Sequence, residues 1–261
     1  LINSAELPVF STVLPEHITP MVDDLLSQGK QVLADCVAQP QINWNSLIRP
    51  LNEANNQLGR GWAVASHLNA VVNTDELREA YNANLAKLSD YYTELGQNKA
   101  FYDAIKSLRV SDSSLNEAQL KSLDDSLLSF ELSGVALPEE QKQRYRDISQ
   151  QLSQLTSQYS DNVLDATQIW IKQVTDIALL QGLPESALEM AAQAAQQREL
   201  NGWVLTLQAP SYIAVMTYAD NRALREELYR AYSTRASDQS MYPEFDNSAL
   251  MQRILKLRQE E

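Results

Sequence analysis

The sequence predicts a mainly α-helical protein with one small β-sheet. Apolar residues recur three or four positions apart along most of the 261 residues, which is the spacing of amphipathic helices. Only two short segments depart from this spacing, and they carry the β-branched and aromatic residues that favour strands. Glycine is scarce, with 7 residues, whereas an average protein has about 7% glycine, so few tight turns are expected.

Three apolar stripes mark the predicted helices. The third alternates spacings of three and four and predicts a long helix with a narrow apolar seam. That seam either faces a neighbouring helix of the same chain, which is the commoner case in an all-helical protein, or forms a coiled-coil dimer. The stripes are Leu47, Leu51, Ala54, Leu58, Ala65 and Leu68; Leu77, Tyr81, Leu85, Leu88, Tyr92 and Leu95; and Tyr145, Ile148, Leu152, Leu155, Tyr159, Val163 and Ala166.

Two strands are predicted over residues 168–174 and 203–207, with a helix over 185–200 between them. Turn-forming residues separate the helices at 111–114, 134–138, 182–184 and 238–247. From this organisation we predict an N-terminal helical domain over 1–133. Residues 134–261 are predicted to form a helical segment that carries the sheet and begins a second lobe.

The last helix is predicted to begin after an Asn247 N-cap, with Leu250, Ile254 and Leu257 on one stripe. It runs into Glu260 and Glu261, whose charges oppose the helix dipole, and no Gly or Pro follows. We therefore expect the chain to be cut inside a helix. The stripe is expected to be exposed and to associate with another copy of the chain, with a monomer as the rival. The start at Leu1 leaves a removed leader open.

Composition excludes several classes of function. The formal net charge of −13 repels nucleic acid and anionic membrane surfaces. No apolar run reaches the roughly 20 residues that a membrane-spanning helix needs. Cys36 is the single cysteine and lies on an apolar rhythm, so we expect a buried, inert thiol, no internal disulfide and a reducing, cytoplasmic setting. Gly59 and Gly61 lack the remaining pattern of a nucleotide-binding loop.

The residues that could carry hydrolytic chemistry are few. His17 and His67 are the only histidines, and neither belongs to a His-Glu-x-x-His motif, so both are interpreted as structural residues of helices, His67 through a hydrogen bond. The acid pairs Asp23-Asp24, Asp124-Asp125 and Glu139-Glu140 are interpreted as solvated surface, because adjacent helical positions point about 100° apart. Carboxylates paired across space remain open.

Four arginines stand out in this acidic chain: Arg222, Arg225, Arg230 and Arg235. One interpretation is that they hold a peptide carboxylate, because guanidinium groups bind carboxylates through two parallel hydrogen bonds. The interpretation that we favour is structural, with salt bridges to the nearby Glu226, Glu227 and Asp238. The sequence therefore predicts no catalytic or metal-ligating residue in this chain and assigns no substrate-binding residue.

Three segments carry a family resemblance: Phe130-Glu-Leu-Ser-Gly134, Gln158-Tyr-Ser-Asp-Asn-Val-Leu-Asp-Ala166, and the stretch from Tyr218-Ala-Asp-Asn-Arg222 to Arg258. The chain resembles the N-terminal half of the thimet oligopeptidase and neurolysin family of zinc metallopeptidases. The resemblance implies a neurolysin-like multi-helical lobe beside a deep channel that admits short, unstructured peptides. It also implies zinc bound by His-Glu-x-x-His and a downstream glutamate, none of which is present here.

We therefore expect the N-terminal portion of a zinc-dependent metalloendopeptidase that hydrolyses short oligopeptides, including cleaved signal peptides. On this hypothesis the chain forms part of the channel wall, has the missing C-terminal catalytic half as its partner, and is inactive alone. The alternative is a stand-alone helical binding or scaffold module without enzymatic activity.

Overall fold

The computed structural model describes residues 7–261, and within them it contains ten α-helices and one two-stranded sheet. The predicted fold class is thus confirmed. Short 3₁₀ turns occur at Phe10–Thr12, Ile177–Leu180 and Pro243–Phe245, and a π turn at Trp44–Ile48 leads into the second helix. The elements are α1 (Pro15–Val37), α2 (Arg49–Val71), α3 (Asp75–Gly96), α4 (Lys99–Ser111), α5 (Glu117–Leu132), α6 (Glu139–Ile169), β1 (Ile171–Val174), α7 (Glu185–Gln196), β2 (Trp203–Thr206), α8 (Ala209–Tyr218), α9 (Arg222–Thr234) and α10 (Ser248–Glu260).

Short polar side chains fix where several helices begin. Thr74, Asn98, Asn116 and Asn221 each precede a helix and accept a hydrogen bond from the N–H of its third residue, at 2.9–3.3 Å. At α5 the pairing is reciprocal, because the Gln119 side chain accepts from the Asn116 N–H at 2.9 Å. These contacts satisfy backbone donors that a helix leaves unpaired at its first turn.

The chain divides into two compact units, one through Gln154 and one from Leu155 to Glu260, with α6 contributing to both. The predicted domains, 1–133 and 134–261, stay a prediction. None of the helices within residues 7–261 combines the length and apolar character that a membrane span requires.

In the first unit, α1 packs against α2 and α3, while α4 packs against α5. The stripes predicted along α2 and α3 face its core, with one correction. Tyr91 is only 2% exposed, whereas the predicted Tyr92 is 47% exposed. The hydroxyl of Tyr91 donates to Asn55 Oδ1 at 2.8 Å, which satisfies its polar end inside the core. The Tyr91 ring can therefore be buried between the helices.

The second unit contains the predicted sheet. Strands β1 and β2 pair antiparallel, with Ile171 opposite Thr206 and Val174 opposite Trp203. Helix α7 packs on β2. The first strand is shorter than predicted, because residues 168 and 169 still belong to α6. The helix predicted over 185–200 ends at Gln196, because Glu199 adopts a left-handed φ of 55° and the Leu200 N–H binds the Ala195 carbonyl at 2.9 Å.

The start of α10 corrects two expectations. Its cap is supplied by Asp246, whose Oδ1 accepts from the N–H and hydroxyl of Ser248, at 2.8 and 2.7 Å. The Asn247 side chain is buried and binds α6 instead. The stripe predicted to be exposed is partly buried at Leu250 and Ile254 and buried at Leu257, so the exposed apolar residues of α10 are Met251 and Leu255. Self-association stays a prediction.

The apolar seam predicted along α6 is buried within the chain at Ile148, Leu152 and Ala166. Tyr159 is the exception and is 38% exposed. Burial of three seam positions favours the intramolecular interpretation over a coiled-coil dimer.

Candidate functional site

The two histidines have structural positions. His17 is the third residue of α1, and its Nδ1 accepts a hydrogen bond from the Leu14 N–H at 3.2 Å. His67 lies on α2, and its ring centroid is 5.2 Å from that of Phe10. The hydrogen bond predicted for His67 is not formed within residues 7–261, so that part of the prediction is wrong. Among the residues that the structure describes, no three or more His, Cys, Asp or Glu side chains are grouped to hold a metal ion. The described residues therefore do not fit a zinc site, which needs at least three converging protein ligands.

Cys36 is buried in the core beside Leu47 and Phe101, as predicted. Burial raises the pKa of its thiol, and the neighbouring carboxylate of Asp35 raises that pKa further. A neutral thiol is a poor nucleophile, because the thiolate is the reactive form. Cys36 is therefore unsuited to nucleophilic catalysis.

Three carboxylates of the acidic pairs form salt bridges on the surface with Lys or Arg side chains. Asp23 pairs with Lys87 at 2.5 Å and Asp124 with Arg109 at 2.7 Å, while Asp125 pairs with Lys121. The Arg109 side chain lowers the pKa of Asp124 by hydrogen bonding. These contacts support the interpretation of Asp23-Asp24 and Asp124-Asp125 as solvated surface.

Only part of the salt-bridge prediction for the four arginines is confirmed. Arg230 pairs with Glu226 at 2.9 Å, as predicted. Glu227 instead pairs with Lys172, at 2.9 Å. The prediction is wrong for two arginines that bind backbone carbonyls and not carboxylates, Arg225 at Ala219 and Arg235 at Tyr232. The prediction is also wrong for Arg222, which opens α9 and forms no ion pair within residues 7–261.

The first unit contains a groove of about 620 Å³, which we call the serine groove. Helix α5 forms one wall and presents mainly small side chains. Helices α2 and α3 form the opposite wall, and α4 contributes to the floor. Its volume lies within the roughly 300–1,000 Å³ typical of ligand pockets. Its lining includes Asn52, Asn55, Tyr92, Phe101, Ser122, Ser126, Ser129, Phe130 and Ser133.

The floor of the serine groove is aromatic, and its rim carries hydroxyl groups beside the paired charges of Lys121 and Asp125. The rings of Phe101 and Phe130 meet edge to face with centroids 5.5 Å apart. On the rim, the hydroxyls of Ser126 and Ser129 donate to carbonyls of their own helix, at 2.8 and 2.9 Å. Their oxygens are left with lone pairs that can accept hydrogen bonds. The groove therefore offers an apolar floor and hydrogen-bonding sides.

Charge is balanced within the serine groove. Lys121 and Asp125, which both line it, pair with each other. Burial raises the pKa of Tyr92, so its phenol stays neutral at physiological pH. The groove is narrow where Gly96 faces Ser133, because a Cβ at Gly96 would lie 2.9 Å from the side chain of Ser133. An uncharged, extended segment with apolar side chains matches this lining best.

The sequence reasoning missed this groove. Its one visible signal is the series Ser122, Ser126, Ser129 and Ser133, spaced four, three and four apart, which places small residues on one helical face. The opposite wall comes from helices about 30 to 80 residues earlier, as Asn52 and Tyr92 show. Nothing in one helix indicates what lies across from it.

Comparison with known proteins shows a family domain and several similar proteins. Residues 22–142 match the family model of the neurolysin/thimet oligopeptidase N-terminal domain. The whole chain is 51% identical to Oligopeptidase A of Escherichia coli and 48% identical to Oligopeptidase A of Haemophilus influenzae, spanning 39% of each. It is 37% identical to Probable cytosolic oligopeptidase A of Arabidopsis thaliana, spanning 38% of it.

The chain thus carries, over residues 22–142, the N-terminal domain of the neurolysin/thimet oligopeptidase family. It spans about two fifths of the length of the curated relatives that it matches, 39% for the Escherichia coli protein. The resemblance stated from the three sequence segments is confirmed.

Proposed function

We propose that this chain is the N-terminal portion of a zinc-dependent metalloendopeptidase that hydrolyses short oligopeptides. The observation that carries the proposal is 51% identity, over the whole of this chain, to a protein named as an oligopeptidase. On this proposal the zinc ligands and the general base belong to the remainder of the longer parent protein. The present residues build a wall of the peptide channel and restrict the size of the substrate.

The serine groove is the part of this wall that we assign to peptide contact. Its aromatic floor and hydroxyl-bearing rim suit side chains and amides of an extended peptide, and a folded protein would not enter a groove of about 620 Å³. Cleaved signal peptides, which are short and apolar, fit this description. Similarity to a relative named as cytosolic supports a cytoplasmic setting for the parent.

The proposal is tested on the parent protein with internally quenched peptides of increasing length. We expect cleavage of short peptides, loss of cleavage in a chelator and recovery on addition of zinc. A folded protein with the same cleavage sequence on an internal strand serves as the control and is expected to remain intact. Chelator-insensitive cleavage, or no cleavage of any peptide, would contradict the proposal.

A further inference from the structure

Arg235 is held in a three-layer stack in the second unit. Its guanidinium carbon lies 3.7 Å from the ring centroid of Tyr232, and that ring stacks on Tyr212 with centroids 4.1 Å apart and planes 15° from parallel. Arg235 Nη1 also donates to the Tyr232 carbonyl at 2.5 Å. One face and one nitrogen of the guanidinium are therefore fixed by the fold.

The other N–H donors of Arg235 have no partner within residues 7–261. Its Nε is buried and has no hydrogen-bond partner among the described residues. No carboxylate of residues 7–261 pairs with Arg235, although the chain has 34 acidic residues. A guanidinium has five N–H donors. The described structure therefore holds a pre-oriented guanidinium that lacks an anion.

We propose that Arg235 and the Tyr212–Tyr232 stack form a carboxylate-binding site for short peptides. The proposal rests on the proposed peptide-handling function. Arginine presents its donors in a planar fork that matches the two oxygens of a carboxylate, and the ring of Tyr232 fixes the plane of that fork. The carboxylate comes from the C-terminus of the peptide or from an acidic side chain.

Carboxylate is favoured over phosphate by charge. The net charge of −13 repels a dianion more strongly than a monoanion. Tyr212 stays protonated, because burial and the neighbouring Tyr232 and Tyr229 raise the pKa of its phenol by more than the nearby Arg235 lowers it. The aromatic side of the site therefore adds no negative charge.

Isothermal titration calorimetry on the 261-residue chain tests the site. The probe is a short peptide with a C-terminal carboxylate and one glutamate, compared with its C-terminal amide, its Glu→Gln form, a carboxylate-free form that carries both changes, and inorganic phosphate. We expect Arg235→Gln to weaken binding about tenfold or more, as expected for a lost charge-assisted pair. Arg235→Lys keeps the charge but loses the fork, and we expect it to restore only part of the affinity. The matched control is Arg230→Gln, an exposed arginine of the same region paired with Glu226.

The peptide arms identify the source of the carboxylate. If the C-terminal amide does not bind, the terminal carboxylate is the group that Arg235 binds. If the Glu→Gln form does not bind, that group is the side-chain carboxylate. Equal binding by all peptide forms, tighter binding of phosphate than of peptide, or an equal loss in Arg230→Gln would overturn the inference. So would an absence of peptide binding by the unmutated chain.

A measurement without mutation covers the case in which Arg235→Gln unfolds. The Nε–H resonance of Arg235 is expected to shift on titration with the peptide and to remain unchanged with its carboxylate-free form. A resonance that does not move during binding would overturn the inference. Peptide cleavage by the parent protein without this shift would support the proposed function and contradict the carboxylate site. The shift without cleavage would support the carboxylate site and contradict the proposed function.

Discussion

Asn162 donates a 2.8 Å hydrogen bond from its Nδ2 to Oδ1 of Asn247, and Asn247 in turn donates from its Nδ2 to the carbonyl of Tyr159 at 3.1 Å. Asn247 is only 3% exposed. Both polar ends of its carboxamide are therefore used by α6. This pair fixes the beginning of α10 on the second unit, while Asp246 supplies the cap.

Asn247→Ala is expected to destabilise the chain by about 1–3 kcal/mol, because it leaves Asn162 and the Tyr159 carbonyl without a buried partner. Urea unfolding followed by circular dichroism measures the change. Asn201→Ala, at an exposed asparagine of the same unit, is the control. Its free energy of unfolding is expected to stay within about 0.5 kcal/mol of that of the unmutated chain. Equal effects of the two substitutions would contradict the assigned role.

The sequence predicts the helices and the sheet well because apolar spacing is a local property. The pairing of β1 with β2 and the burial of Ile148 and Leu152 follow from it. The partner of a polar side chain is a tertiary property. The spacing that suggests a salt bridge for Arg235 does not show that Tyr232 holds it, and the capping preference of asparagine does not show that α6 engages Asn247.

Gly29 is required by the packing of α1 against α3. A Cβ at this position would overlap the hydroxyl oxygen of Tyr91 and lie 3.0 Å from its Cζ. Tyr91 cannot retreat easily, because it is buried and bonded to Asn55. We expect Gly29→Ala to cost about 1–2 kcal/mol, since overpacking of about 1–3 kcal/mol exceeds the gain of up to about 1 kcal/mol in helix propensity.

Gly59→Ala provides the matched control for Gly29→Ala. A Cβ there meets nothing within 4 Å, so only the propensity gain remains. Chemical denaturation is expected to show a lower free energy of unfolding for Gly29→Ala and a higher one for Gly59→Ala. Stabilisation by Gly29→Ala would show that the helices separate freely, and Tyr91→Phe in the same background should relieve part of the cost if the overlap is the cause.

The thiol of Cys36 is expected to react slowly with iodoacetamide in the folded chain. Its raised pKa reduces the thiolate fraction, and burial blocks access. We expect alkylation to be on the order of a hundredfold slower than in urea at the same pH. Mass spectrometry measures the rate without ambiguity, because the chain has one cysteine. Equal rates in both states would contradict burial.

The Cys36 thiol is also expected to make the folded chain less stable as pH rises at high pH. Its pKa in the folded chain lies above the ordinary value of 9.0, so the folded state keeps a proton that the unfolded state loses. The free energy of unfolding is expected to fall as pH rises from 9.0 towards the raised value. Cys36→Ser, measured over the same range, should remove most of this part of the pH dependence.

Filling the serine groove tests its proposed role in the parent protein. Ser129→Trp places a large ring in the groove and is expected to raise KM for short peptides several-fold with a smaller change in kcat, because it removes binding room and not the chemistry. Leu128→Trp, on the neighbouring exposed face of α5, is the control and should leave KM unchanged. Equal kinetics for the two variants would remove the groove from the peptide path.

The 261-residue chain is expected neither to retain catalytic zinc nor to cleave peptides. Hydrolytic zinc needs three protein ligands and a base for its water, whereas His17 is engaged at the start of α1 and His67 packs against Phe10. Metal analysis after dialysis should give far less than one zinc per chain, and His17→Ala and His67→Ala should not change that amount. A quenched-peptide assay should show no chelator-sensitive turnover, with the parent protein as the positive control. One tightly held zinc per chain, lost with either histidine, would show that these two side chains reach a site that their present contacts do not allow.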